Sequence, residues 1–317
     1  VPFDNILEFV EGPTGLNWTL LPVQRFILKL HYGIELDSHN ARIHIFDHFQ
    51  ERLRYSLTEL DYLDYLFGEG RCSVPDQSSL PRPGLVLAAG RRTGKSTLAN
   101  LIASYTVIQL LQAGDPHALF GYTTANPILV AACYIGLNRE ARGQFLSNIA
   151  EDIARCGELR AGFSFEHQGS ASGIKFITSE GRRLGLTRGN LAVIAFDSRP
   201  RIHASASGAL IIDELAHMPE EREILISNIP RVIPPGRYVV MGTPRRADGA
   251  FYNLFRHAMD NSAEAPLALQ IPTWQVQPAM GPFLRERFND NPTHFYIEYG
   301  ARWHPREGRE VRITLRV

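Results

Sequence analysis

Residues 85–97 read Leu-Val-Leu-Ala-Ala-Gly-Arg-Arg-Thr-Gly-Lys-Ser-Thr. An apolar run enters a turn of small residues, and Gly94-Lys95-Ser96 opens an amphipathic stretch over 96–112. This is the Walker A arrangement in the context its chemistry needs, a strand before the loop and a helix after it. Backbone N–H groups of such a turn, here contributed around Gly90, Arg92, Thr93, Gly94 and Thr97, point at phosphate oxygens, and the positive end of the helix adds to them. Lys95 is placed to reach β- and γ-phosphates, and the Ser96 hydroxyl to bind Mg²⁺. The spacing departs from the usual pattern in one respect: Ala89 stands where the first glycine belongs, Gly90 comes one place late, and two arginines follow it.

A second constellation lies downstream. Gly-Ala-Leu-Ile-Ile-Asp-Glu at 208–214 is a continuous apolar run ending in two carboxylates, the pattern of a central parallel strand covered on both faces. Asp213 would hold Mg²⁺, through a water, and Glu214 would orient and deprotonate an attacking water. A third run, Arg-Tyr-Val-Val-Met-Gly-Thr-Pro at 237–244, delivers Thr243 to the carboxyl end of a strand, where ligand contacts gather in open α/β sheets. The three point to a nucleoside triphosphate with Mg²⁺ and to its hydrolysis.

The elements that must position these residues are legible in outline. Strands at 85–89, 128–135, 173–178, 191–196, 208–212, 237–241 and 267–271 alternate with helices at 96–112, 139–155 and 249–259. This predicts a three-layer α/β domain with a mainly parallel sheet. Residues 1–70, with Trp18, Phe26, Tyr32, Phe46, Phe49 and Tyr62 at amphipathic spacing, are expected to be largely helical. A Pro-rich connection follows at 71–83. Residues 1–275 are taken as the core with its helical N-terminal segment. Residues 276–317, with short helices at 282–290 and 292–299, are taken as a small lid or linker.

Composition narrows the partners. The chain has 317 residues with 33 Lys plus Arg against 33 Asp plus Glu, so no global positive field draws in nucleic acid. Contact with DNA would need a local patch or a ring of subunits. Three cysteines, Cys72, Cys133 and Cys156, show no metal-ligand spacing and suit a reducing compartment. No apolar run approaches 18 residues, so no membrane partner is expected.

Taken together, the sequence resembles the N-terminal ATPase domain of the large subunit of viral DNA-packaging terminases, as found in bacteriophages. The resemblance rests on the order of Leu21-Pro-Val-Gln-Arg-Phe26, Gly90-Arg-Arg-Thr-Gly-Lys-Ser96, Tyr134-Ile-Gly-Leu-Asn-Arg-Glu-Ala-Arg142, Leu210-Ile-Ile-Asp-Glu214 and Gly242-Thr-Pro244. The late Gly90 followed by arginine is itself typical of that family.

The resemblance implies an additional-strand, RecA-like P-loop NTPase fold and a set of roles. Gln24 would read the adenine edge, the alternative being a glutamine at a helix start. Arg91 would contact the γ-phosphate or the catalytic glutamate, the alternative being a surface charge. Thr243 would couple hydrolysis to domain movement. An arginine finger given to a neighbour in a ring would add roughly 10³–10⁵ in rate. Arg139 is the first candidate and Arg142 the second, with an exposed helix charge as the alternative for each.

Implied partners are double-stranded DNA, a portal protein, a small terminase subunit and further copies of the chain, in the host cytoplasm. Only 74 residues follow Thr243, so the family's nuclease half is not expected. The alternatives are a superfamily-2 type helicase fragment and a non-catalytic nucleotide-binding scaffold. Asp213-Glu-Leu-Ala-His217 has one residue too many for a DEAH box, and an intact Glu214 argues against a scaffold.

Overall fold

The computed structural model describes residues 3–121, 126–134, 139–156, 165–170, 173–183, 185, 189–197, 206–260 and 262–304. In chain order these form α1 (Ile6–Glu11), α2 (Pro22–Tyr32), β1 (Ile43–Phe46), β2 (Leu53–Leu57), α3 (Glu59–Gly68), β3 (Gly84–Ala89), α4 (Lys95–Gln112), α5 (Pro116–Leu119), β4 (Ile128–Tyr134), α6 (Arg139–Arg155), β5 (Phe165–Ser170), β6 (Gly173–Thr178), α7 (Ser179–Arg183), β7 (Leu191–Asp197), β8 (Ser207–Ile212), α8 (Glu221–Asn228), β9 (Val232–Gly242), α9 (Ala250–Met259), β10 (Leu267–Ile271), α10 (Thr273–Val276), α11 (Gly281–Asp290) and α12 (Pro292–Glu298).

An eight-stranded sheet in the order β10-β3-β9-β8-β4-β7-β6-β5 organises the chain. The six strands from β10 to β7 run parallel, while β6 and β5 close one edge antiparallel. Every residue of β3 and of β8 is buried, which is why both read as unbroken apolar runs. The period-two alternation of a strand divides them between two cores. Leu85, Leu87, Ala209 and Ile211 face one core, built with α2, α4 and α6. Val86, Ala88, Leu210 and Ile212 face the other, with Phe251 and Phe255 of α9. Helices on both faces of a mostly parallel sheet make the three layers expected from the alternation.

The strand order has a direct consequence for the site. β9 lies between β3 and β8, so Gly242 and Thr243 emerge between the glycine-rich loop after β3 and the carboxylates after β8. Pairing of Ala88 with Gly242 and of Ile212 with Val240 sets the strand ends level.

The N-terminal region departs from the helical expectation. Residues 43–57 form a two-stranded antiparallel hairpin, with Ile43 opposite Leu57 and Ile45 opposite Tyr55. Phe46 and Phe49 are three apart and so imitate a helical stripe, but Ile43-His44-Ile45 alternates with period two and the strand wins. Phe49 sits in the turn and packs into a third cluster of Trp274, Leu284, Phe295, Tyr296 and Tyr299. Gln50 fastens the same turn, donating to the Gln277 carbonyl at 2.5 Å and accepting from the Met280 N–H at 2.6 Å. The hairpin is therefore the bed on which residues 274–299 rest.

Other boundaries moved modestly. β9 begins at Val232, five residues before the expected strand, and α8 and β5 were not anticipated. The three cysteines are buried and unbridged. Among the described residues, no helix is long and apolar enough to cross a membrane.

Candidate nucleotide-binding site

The loop between β3 and α4 turns by two residues in left-handed backbone, Arg92 at φ 63° and Gly94 at φ 79°. The left-handed backbone calls for glycine at 94, and any Cβ there would also displace the Gln24 amide, whose Nε2 would lie 2.4 Å away. Gln24 is buried in the first turn of α2 and holds the loop: its Nε2 donates to the Thr93 carbonyl at 3.2 Å, and its Oε1 accepts from the Leu21 N–H at 3.2 Å. Thr93 closes the turn on itself, its hydroxyl donating to the Gly90 carbonyl at 2.9 Å. Ser96 and Thr97 stand exposed on the first turn of α4.

Lys95 points inward and is 6% exposed. Its Nζ donates to the Ala89 and Gly90 carbonyls at 3.3 and 3.2 Å and to Thr243 Oγ1 at 3.1 Å. It lies 3.2 Å from Glu214 Oε1. Glu214 adopts left-handed backbone, φ 57°, two residues after the end of β8. That turn swings its carboxylate toward the lysine and away from the direction of the strand. The other oxygen accepts the Thr243 N–H at 2.9 Å and lies 3.5 Å from His217 Nδ1.

Burial alone would raise the Glu214 pKa. His217, the Lys95 charge and the Thr243 N–H outweigh it and hold the group at about 2. Asp213 goes the other way, pushed up to about 6 by burial and by the neighbouring Glu214 charge. Its Oδ2 accepts the Ser96 hydroxyl at 2.7 Å, whereas its Oδ1 is buried with no hydrogen-bond partner.

That orphaned oxygen beside a serine hydroxyl tests the fit of Mg²⁺. A hard cation takes oxygen donors and keeps several waters, bound by one or two protein groups plus substrate phosphate. Asp213 and Ser96 supply that short donor set. Among the described residues, no group of three or more His, Cys, Asp or Glu side chains could hold a metal unaided. The residues fit an ion that arrives with phosphates.

The two loop arginines face elsewhere. Arg91, expected at the γ-phosphate or the glutamate, forms an ion pair through Nε with Glu298 of α12. Its N–H donates to the Glu298 carbonyl at 2.7 Å, and its carbonyl accepts the Thr273 hydroxyl at 2.7 Å. Arg92 lies over the Phe283 ring, 4.5 Å from its centroid. A Cβ at Gly90 would fall 2.3 Å from Thr273 Oγ1 and 2.6 Å from the Tyr299 carbonyl. In this conformation the late glycine is thus demanded by the C-terminal segment.

Arg139 begins α6, and its side chain lies outside the described residues, as do residues 135–138 of the same motif. Arg142 is half-buried, with an Nε that has no hydrogen-bond partner. Of the arginines at 182, 183, 188, 199 and 201, Arg182 and Arg183 are exposed on α7, with Arg183 paired to Glu180. Positions 188, 199 and 201 lie outside the described residues. Sequence reasoning did not select His217, Thr273, Phe283 or Glu298. Only His217 had a local signal, standing three residues after Glu214 in a tight turn.

The sheet order, the loop and the strand-end carboxylates define a P-loop NTPase fold of the α/β class. No family model matches this chain, and no curated protein matches it. Among solved structures it is similar to the large terminase ATPase domain of Thermus phage P74-26, with a TM-score of 0.49 and 17% identity over 71% of this chain and 90% of that one. It is also similar to the large terminase of another thermophilic bacteriophage in complex with ADP (0.46, 12%, 70% and 48%). The HK97 bacteriophage large terminase gives 0.46 and 13%, over 70% and 47%. The chain spans about half the length of the latter two proteins.

Proposed function

We propose that this chain binds ATP with Mg²⁺ and hydrolyses it, as the motor domain of a DNA-packaging terminase large subunit. The observation that carries the hydrolysis reading is the convergence of Lys95, Ser96, Asp213, Glu214 and Thr243 from three adjacent strand ends. The packaging reading rests on the motif order from Leu21 to Pro244.

In the form described, Lys95 and Glu214 neutralise each other. Incoming phosphates compete with Glu214 for the ammonium. As Lys95 turns to them, the carboxylate loses a stabilising charge and becomes a stronger base, able to orient a water and accept its proton. Thr243 touches both members of the pair through its N–H and hydroxyl, and so registers which partner the lysine has taken. Ser96 and Asp213 would hold Mg²⁺, which would supply positive charge beside the phosphate oxygens when bound. An arginine from a neighbouring copy, Arg139 or Arg142, would complete the charge compensation in a ring with portal and small subunit on double-stranded DNA.

The test measures phosphate release and fluorescent-ATP binding side by side. Glu214→Gln should bind nucleotide within about threefold of the unaltered chain and lose turnover by roughly 10²–10⁴. Retained turnover rejects Glu214 as the base. In the assembled motor, Arg139→Ala with unchanged ATPase would remove that residue as the finger.

A further inference from the structure

At the end of the domain opposite the loop, a cavity of about 490 Å³ opens between the last turns of α4, the end of α2, α5 and the first halves of β8 and β9. Its volume lies within the roughly 300–1,000 Å³ of ordinary small-molecule sites. Its walls are mainly apolar, and among them are Ile102, Leu119, Phe120 and Val239. Gly208 and Gly236 stand on the lining on neighbouring strands, packed so closely that a Cβ on Gly236 would fall 2.6 Å from the Gly208 carbonyl. A Cβ on Gly208 would sit 3.0 Å from Phe120 and 3.3 Å from Leu110, so these side chains close over that part of the wall.

Two polar groups on this lining are undersupplied with partners. Arg237 lies on the α4 face of β9. It makes a single hydrogen bond, from one terminal nitrogen to the His31 carbonyl at 2.6 Å, and stacks 5.5 Å over Tyr32. No carboxylate among the described residues pairs with it, and burial weakens its hold on its own proton. Nearby His31 offers no counter-charge, because burial first and the Arg237 charge second lower its pKa to about 3 and leave it neutral. Gln112, in the last turn of α4, presents a buried Nε2 without a partner. The one acidic side chain on the lining, Asp4, acts on Tyr105 and not on Arg237.

An unneutralised guanidinium and an orphaned amide donor on an apolar wall describe the complement of an anion with an apolar body. We propose that this cavity binds a small organic carboxylate, its head on Arg237 with Gln112 as a second donor and its body against Leu119, Phe120 and Val239. The site is separate from the nucleotide loop, so its failure would leave the hydrolysis reading untouched, and the reverse holds as well.

The experiment titrates the chain with 4-phenylbutyrate and with 4-phenyl-1-butanol by calorimetry, because the two probes share a body and differ in the head. The carboxylate should bind in one-to-one saturable fashion, about tenfold or more tighter than the alcohol. That preference should vanish in Arg237→Gln and fall about threefold in Gln112→Ala, with ATP affinity unchanged in both. Equal affinity for the two probes, or no saturable binding of either, overturns the proposal. Because that comparison uses the unaltered chain, it decides the matter even if Arg237→Gln fails to fold. A preference that survives in a folded Arg237→Gln overturns the assignment of the head group.

Discussion

The loop from Gly90 to Ser96 has two halves with different masters. Its lysine half faces inward, where Lys95 and Ser96 meet carboxylates delivered by β8 and a threonine delivered by β9. Its arginine half faces outward, where Arg91 and Arg92 meet Glu298 and Phe283 of the C-terminal helices. Only Thr93 and Gly94 separate the buried ammonium of Lys95 from the exposed pair Arg91-Arg92, and the left-handed backbone at Arg92 and Gly94 makes that reversal possible. The inner contacts are buried charges, whose loss is costly. The outer ones are partly solvated, and they tie the loop to the C-terminal helices.

Lys95→Ala should break the inner half most severely. Removing the cation leaves Glu214, whose side chain is 29% exposed, with only the Thr243 N–H and His217 as partners, at a cost of about 1.5–3 kcal/mol for the lost charged contact. ATP affinity should fall by about 100-fold or more in a nucleotide titration, with a matching loss in urea denaturation. Affinity within threefold of the original would mean that the inner half is not a phosphate site.

The two carboxylates should separate by pH. Asp213 titrates near 6 in the fold and near its ordinary value of 3.8 when unfolded, so the folded form binds its proton more tightly. Stability from this group is therefore lost as pH rises from about 4 through 6, on the order of 3 kcal/mol for two units. Glu214 acts oppositely: its contribution is complete above about 4.5 and is lost as pH falls toward 2. Denaturation across pH 2–8 should show both limbs, with Asp213→Asn removing the upper and Glu214→Gln the lower. Binding of MgATP should also weaken about tenfold per unit below pH 6, since the ion must displace the Asp213 proton. A flat profile would contradict the assignment of Asp213.

The outer half should yield smaller numbers. A double-mutant cycle on Arg91→Ala and Glu298→Ala should show a coupling of about 1 kcal/mol, since the arginine is half-exposed while Glu298 is buried. Zero coupling would detach the loop from α12. If Arg91→Ala instead lowers turnover with stability intact, the arginine leaves Glu298 for the nucleotide in the working state. Last, Arg92→Ala and Phe283→Leu should each cost about 0.5 kcal/mol by thermal denaturation, the magnitude of an exposed cation–π contact. A cost above that of Arg91→Ala would reverse the order within this half.

The central strands were legible because burial on both faces leaves an unbroken apolar signature, as in Leu85–Ala89 and Leu210–Ile212. The hairpin at 43–57 was not, because two phenylalanines three residues apart satisfy a helical period while a short polar strand carries little signal of its own. The carboxylates of the site were legible because each ends such a strand. Glu298 and Phe283 were invisible, since nothing local marks a residue that will meet an arginine some two hundred positions away.

By itself the chain determined that a glycine-lysine-serine turn joins a buried strand to a helix, and that Asp213, Glu214 and Thr243 stand at strand ends. Those are local facts, fixed by backbone conformation and by the alternation of side chains. Which of them meet was decided only by the strand order, because β9 inserted between β3 and β8 brings Thr243 between the lysine and the glutamate. Which way each loop residue faces was decided by two left-handed residues and by a C-terminal segment packed on a hairpin. Contacts across such distances depend on the closure of the whole core and have no counterpart in a neighbouring residue.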